Sequence, residues 1–142
     1  MRIVQLIDTL EPGGAEKMAV TLANALLEKT DFSALAVKKK TGKLHDLLSD
    51  NVNFIFLNKK KTIDIRAALK FKFFLKSNSI DIIHAHGTSA FFSVLTKLLY
   101  PRVRIIWHDH NGNRVSEGNK NLIYKILSYF FSSVFVVNEQ QL

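Results

Sequence analysis

Short apolar runs recur along the chain, at Ile3–Ile7, Ala34–Val37, Phe54–Leu57, Ile82–Ala85, Val103–Trp107 and Val134–Val137. Several are continuous rather than alternating, the pattern of strands covered on both faces. Between the first two, Ala15, Met18, Ala19, Leu22, Ala23, Leu26 and Leu27 keep the i, i+3, i+4, i+7 spacing of a helix that buries one stripe. Polar Glu28-Lys29-Thr30-Asp31 ends that stripe. Gly42-Lys43 opens a short helical piece with Leu44, Leu47 and Leu48 inward. Thr62 or Asp64 caps a helix running to about Lys76, and the pattern sends the rings of Phe71, Phe73 and Phe74 to the core. Thr88 or Ser89 caps another that stops at Tyr100-Pro101, because a residue before proline resists the helical region. The stretch from His108 to Gly118 reads as the longest loop, and a last helix spans Leu122–Phe131. Strands alternating with helices predict an open, doubly wound α/β domain with a parallel sheet and right-handed crossovers.

In such sheets ligands bind beyond the carboxyl ends of the strands. Three features fall there. The first is Pro12-Gly13-Gly14, between the first strand and the first helix. A glycine turn at a helix start presents unpaired amides and the positive end of the helix dipole to an anion, although the same turn also serves where a chain merely bends tightly. The second is His84-Ala85-His86-Gly87, and the third is Trp107-His108-Asp109-His110-Asn111-Gly112. Four of the five histidines thus share one rim, with His45 elsewhere. Periodicity turns His84 and His108 toward the core and leaves His86 and His110 at the rim.

With 142 residues, 47% of them hydrophobic, the chain can bury one good core, so residues 1–142 are expected to form a single domain. There is no cysteine, which removes disulfide and thiolate chemistry and suits a reducing cytoplasm. Met1-Arg2 leads straight into a strand, so no signal peptide is expected, and the stretch 126–137 is too short to span a bilayer. The net charge of +8 has one source: eleven Lys or Arg and three Asp lie between Lys38 and Lys76, while the remainder balances nine against nine. Lys59, Lys60, Lys61, Arg66 and Lys70 form its core. Such a region meets anionic lipid, nucleic acid or a phosphorylated ligand, or is a solvated face.

Several chemistries lack their residues. No Gly-x-Ser-x-Gly elbow, P-loop or dinucleotide fingerprint occurs. The aromatic residues sit in apolar runs and do not interleave with the basic ones, which argues against nucleic acid. Two His-x-His pairs keep a metal-dependent hydrolase as an alternative, but His86 and His110 alone are too few ligands, so no metal site is expected.

Gly13-Gly14-Ala15-Glu16-Lys17 with Leu22-Ala23-Asn24-Ala25-Leu26, Gly42-Lys43-Leu44, Asp81-Ile82-Ile83-His84-Ala85-His86-Gly87, Arg104-Ile105-Ile106-Trp107-His108-Asp109-His110-Asn111 and Val134-Phe135-Val136-Val137-Asn138 together resemble the amino-terminal half of retaining GT-B glycosyltransferases of the family 4 type. The resemblance covers essentially the whole chain, with Asp31-Phe32 where the family commonly has Gly-His. It implies a Rossmann-like domain that binds the acceptor, and transfer of a sugar from a nucleotide-sugar co-substrate to a glycan or lipid-linked acceptor, with no metal or other cofactor. By the same resemblance Gly13 and Gly14 meet the donor diphosphate, His110 contacts the transferred sugar, and His86, Gly87 and Asn111 line the acceptor cleft. The basic region would suit a lipid-diphosphate acceptor at the cytoplasmic membrane face. The nucleotide-binding domain of the family is not represented in these residues, so this polypeptide is expected to need that domain, or a partner subunit carrying it, for turnover.

Overall fold

Ile3, Val4, Leu6 and Ile7 are all buried, so the first strand, β1 (Arg2–Thr9), is covered on both faces. The computed structural model describes residues 1–110, 123 and 125–136. After β1 come α1 (Gly14–Ala25), β2 (Phe32–Lys40), a 3-10 turn (Lys43–Leu47), β3 (Asn53–Phe56), α2 (Ile65–Ser77), β4 (Ile82–His86), α3 (Ser89–Leu99), β5 (Arg104–Asp109) and β6 (Ser133–Val136). A further helical segment includes residues 125–128. The six strands form one sheet in the order β3-β2-β1-β4-β5-β6, and every pairing is parallel. The predicted doubly wound, Rossmann-like α/β fold is what forms. Its strand order reverses between β1 and β4, where such sheets open a crevice at the carboxyl edge.

The sheet separates two cores. On one face Val4, Leu6, Ala34, Ala36, Ile83 and Ile105 pack against Ala67, Phe71 and Leu75 of α2 and Phe92 of α3. On the other, Ile7, Leu35 and Val37 meet Ala19, Val20 and Ala23 of α1. Among the described residues α1 covers only the β1–β2 side of this second face. Phe135 of β6 therefore stays 53% exposed there.

One local signal fails and others hold: Thr88 stands at the N-cap of α3, but its hydroxyl donates to Asp8 instead of capping the helix. Asp64, rather than Thr62, caps α2: its carboxylate accepts the amides of Ala67 at 3.0 Å and Lys60 at 2.9 Å. Tyr100, before Pro101, leaves the helical region and ends α3. Gly42 is required by close approach, since a Cβ there would lie 2.4 Å from the carbonyl carbon and oxygen of Leu10.

Three expectations need correction. The phenylalanines of α2 divide, with Phe71 fully buried, Phe74 packed at the core margin and Phe73 exposed, because the helix buries only one stripe. Leu47 is also exposed, while Leu44 and Leu48 pack inward. β2 runs three residues beyond the apolar run, through Lys38-Lys39-Lys40, where Asp8 of β1 and Glu11 just after it receive those lysines.

Candidate active site at the carboxyl edge of the sheet

Parallel register brings the histidines together. Gln5 of β1 lies beside His84 of β4, His86 beside His108 of β5, and His108 beside Phe135 of β6. Residues two apart on a strand share a face, so His84, His86 and His108 all project from the face that carries Gln5, and His110 continues that row. Their rings stack, with centroids 4.2 Å apart for His108 and His110 and 5.3 Å for His86 and His110.

The burial of these rings reverses the periodicity argument. His86 is the enclosed one, only 1% exposed, while His84, His108 and His110 are half-buried. The rings lie on one face of the sheet, so their depth does not follow an inward–outward alternation. His86 Nε2 lies 2.8 Å from Oε1 of the buried Gln5, and its Nδ1 lies 3.0 Å from His110 Nε2. A carboxamide oxygen only accepts, so His86 carries its proton on Nε2 and offers a bare Nδ1 to the Nε2–H of His110.

Burial also keeps the cluster neutral. Removal from water, reinforced by the neighbouring imidazoles, pushes His84 down to about 4 and His86 down to about 2. His108 and His110 are lowered as well, first by burial, with Asp109 acting in the opposite sense. Near neutral pH the site therefore presents uncharged imidazoles, which donate and accept hydrogen bonds without repelling an arriving cationic centre.

Ring nitrogens of His84, His86 and His108 come within 4.8 Å of one another, and His84 Nε2 and His108 Nδ1 have no hydrogen-bond partner among the described residues. Neutral imidazoles in this arrangement have the chemistry of a transition-metal ligand set. Both nitrogens of His86 are already engaged, however, so a metal would have to displace Gln5 or His110.

Gly87 is held by its backbone. Its φ of +52° lies in the left-handed region, its N–H donates to His108 O at 2.8 Å, and its carbonyl accepts Trp107 Nε1–H at 2.9 Å. A Cβ here would touch none of the described residues, so the torsion accounts for the glycine. Gly13 caps α1 in an extended conformation with φ −169°, so no left-handed geometry explains the Gly-Gly pair. Gly14 opens onto empty space, whereas the Glu16 carboxylate lies over Gly13, 2.2 Å from where a Cβ would be. A phosphate approaching these amides must displace that flexible side chain. Asn111 lies outside the described residues.

The basic region resolves into two adjoining parts. Lys60, Lys61, Arg66 and Lys70 line an open groove of about 730 Å³ with Leu57, Ile63 and Ile65. Lys59, Lys60 and Lys61 also join Lys38, Lys39, Asp8, Thr88, Phe91 and Phe92 around a cavity of about 430 Å³. Asp8, Lys38 and Thr88 are not among the site residues expected from the sequence, where Lys38 falls in a basic region that suits a solvated face equally well. Its signal was positional: a lysine directly after a buried strand, opposite a strand that ends in Asp8.

The sequence profile of Glycosyltransferase Family 4 matches residues 12–141. The chain belongs to that family. The matched span contains Gly13, Gly14, His86, Gly87 and His110, so the histidine row and the glycine turn lie inside this glycosyltransferase domain. A comparison with curated proteins gives no match. No helix among the described residues is long and apolar enough to cross a membrane.

Proposed function

We propose that this glycosyltransferase domain is the acceptor-binding half of a two-domain retaining enzyme of GT-B form. The observation that supports the reading best is the Gln5–His86–His110 chain at the carboxyl edge of β4 and β5, beside the point where strand order reverses. In the reaction, the bond from the donor sugar's anomeric carbon to the diphosphate breaks. An acceptor hydroxyl bonds to that carbon on the same face, and its proton passes to the departing diphosphate. A second, nucleotide-binding domain, on this chain or a separate one, holds the donor over this edge. This domain alone then does not turn over.

We assign the roles by the family resemblance, and the geometry is compatible with them. His110, with its Nε2–H engaged by His86, presents the other side of a neutral ring to the transferred sugar. His86 fixes that ring, and Gly87 and Asn111 line the acceptor side. The amides at Gly13 and Gly14 receive charge that develops on the leaving diphosphate, which stabilises the transition state most strongly in a closed, dry cleft. The acceptor is a glycan or a lipid-linked one. In support, Ile63, Ile65 and Phe73 are exposed on and beside α2 near Arg66 and Lys70, the composition of a surface that rests on anionic lipid. Attachment is peripheral, at the cytoplasmic face of the membrane.

The test is reconstitution. The domain joined to a matching nucleotide-binding domain is assayed with UDP- and GDP-sugars and a lipid-linked glycan, with the anomeric configuration of the product read by NMR. Transfer with retention, abolished by His110→Ala, is the expected result. A folded two-domain protein inactive with every donor tried would overturn it.

The histidine trio supplies one observation for a second reading, a metal-dependent hydrolase. Stoichiometric zinc uptake that confers ester hydrolysis would favour it over sugar transfer.

A further inference from the structure

The cavity between the ends of β1 and β2, the 58–62 loop and the start of α3 gathers five lysines, Lys38, Lys39, Lys59, Lys60 and Lys61, around a single carboxylate, Asp8. Asp8 pairs with Lys38 and with Lys39, the latter at 2.7 Å, and accepts Thr88 Oγ1–H at 2.9 Å. No carboxylate among the described residues pairs with Lys59, Lys60 or Lys61. The lining therefore keeps a large excess of positive charge.

The fold holds Lys38 and Lys59 beside one ring, while Lys39, Lys60 and Lys61 reach solvent around them. Lys38 is 3% exposed. Its ammonium stands 5.8 Å from the centre of the Phe92 ring, and Lys59 Nζ stands 6.0 Å from the same centre. Asn58, with φ +52°, turns the chain so that Lys59 N–H bonds the carbonyl of Lys38 at 2.6 Å. A buried lysine and converging like charges both cost free energy unless an anion completes the set. Asp8 completes it for Lys38 and Lys39 only. Phe91, 40% exposed, adds an apolar wall of the kind that packs on a sugar ring.

We propose that this cavity binds the diphosphate ester of the acceptor, with the ammonium groups of Lys39, Lys59, Lys60 and Lys61 on its phosphate oxygens and Phe91 against the attached group. The proposal rests on the acceptor-side reading above. It gives the site a location: Lys38 follows Ala34 and Ala36 on one sheet face, while the histidines share the face of Gln5 and Leu35. Both open at the carboxyl edge, where Thr88 comes two residues after His86. The diphosphate is thus held apart from the reacting sugar, as an acceptor extended by a glycan requires. The ester is carried by a lipid or is soluble, and the phosphate chemistry is the same in either case.

Calorimetry on the whole chain with inorganic pyrophosphate and with geranyl diphosphate tests this. Both should bind, and Lys39→Gln with Lys59→Gln should weaken each at least tenfold while leaving thermal unfolding in place. The charge-matched Lys72→Gln with Lys76→Gln, outside the cavity, should change affinity less than twofold. Tighter binding of geranyl diphosphate assigns the lipid source, and equal binding assigns a soluble ester. No binding of either probe at millimolar concentration would overturn the proposal. So would equal weakening by the two double variants, which marks a diffuse polycation. Transfer by the reconstituted enzyme with unchanged acceptor KM in Lys39→Gln/Lys59→Gln would overturn the cavity and leave the glycosyltransferase reading standing. Pyrophosphate binding in a two-domain protein that transfers no sugar would do the reverse.

Discussion

His86 receives the Nε2–H of His110 on its Nδ1 across 3.0 Å, and it can do so because its other nitrogen is committed to Gln5 at 2.8 Å. A buried amide in the middle of β1 thereby sets the tautomer of a histidine on β4 and, through it, the ring orientation of one at the end of β5. In nitrogen-resolved NMR, His86 should appear as the Nε2–H tautomer between pH 6 and 8. Gln5→Leu strands a buried N–H and should cost about 1–3 kcal/mol. In the two-domain enzyme it should lower kcat more than it raises KM, since it releases His110. An unchanged His86 spectrum in Gln5→Leu would break the proposed relay.

Acid should unfold the domain early. His84 and His86 bind protons near pH 6.5 when unfolded and only near 4 and 2 when folded. Between these values the unfolded state holds more protons, so stability is full above about 6.5 and falls as pH drops toward 4. The slope is at most about 1.4 kcal/mol per pH unit for each histidine. Denaturant midpoints from pH 8 to 4 measure it, and His84→Asn should flatten the curve.

The Asp8–Lys38 pair should respond to its two members unequally. Burial works to raise Asp8, but Lys38 and Lys39 hold it at about 2, while at Lys38 burial outweighs Asp8 and lowers it to about 8. Asp8→Asn leaves a buried, unpaired ammonium and should destabilise by about 3–5 kcal/mol. Asp8→Asn with Lys38→Met should recover most of that loss in chemical unfolding. A double variant no more stable than Asp8→Asn alone would deny the coupling.

Gly42→Ala should be the most damaging change among the four described glycines, because the added carbon meets backbone at 2.4 Å. A loss of about 1–3 kcal/mol is expected from such overpacking. Gly14→Ala meets nothing and should leave stability nearly unchanged. Thermal unfolding of the two variants decides the ranking.

What the sequence determined is the periodic part of this protein. The continuous apolar runs of β1, β2 and β4 produce doubly covered strands, Ala19 and Ala23 of the expected stripe bury α1 while its Met18 stays exposed, and Tyr100-Pro101 stops α3. Order along the chain also sent the histidines and the glycine turn to one edge, since parallel strands end on the same side. Tertiary structure decided which of those residues are deep and what they touch. Buried His86 bonds Gln5 of β1, and buried Lys38 pairs with Asp8 near the end of the same strand. Both relations join residues far apart in sequence through sheet register. Their free energies depend on burial and paired charge, quantities that arise only once the strands lie side by side.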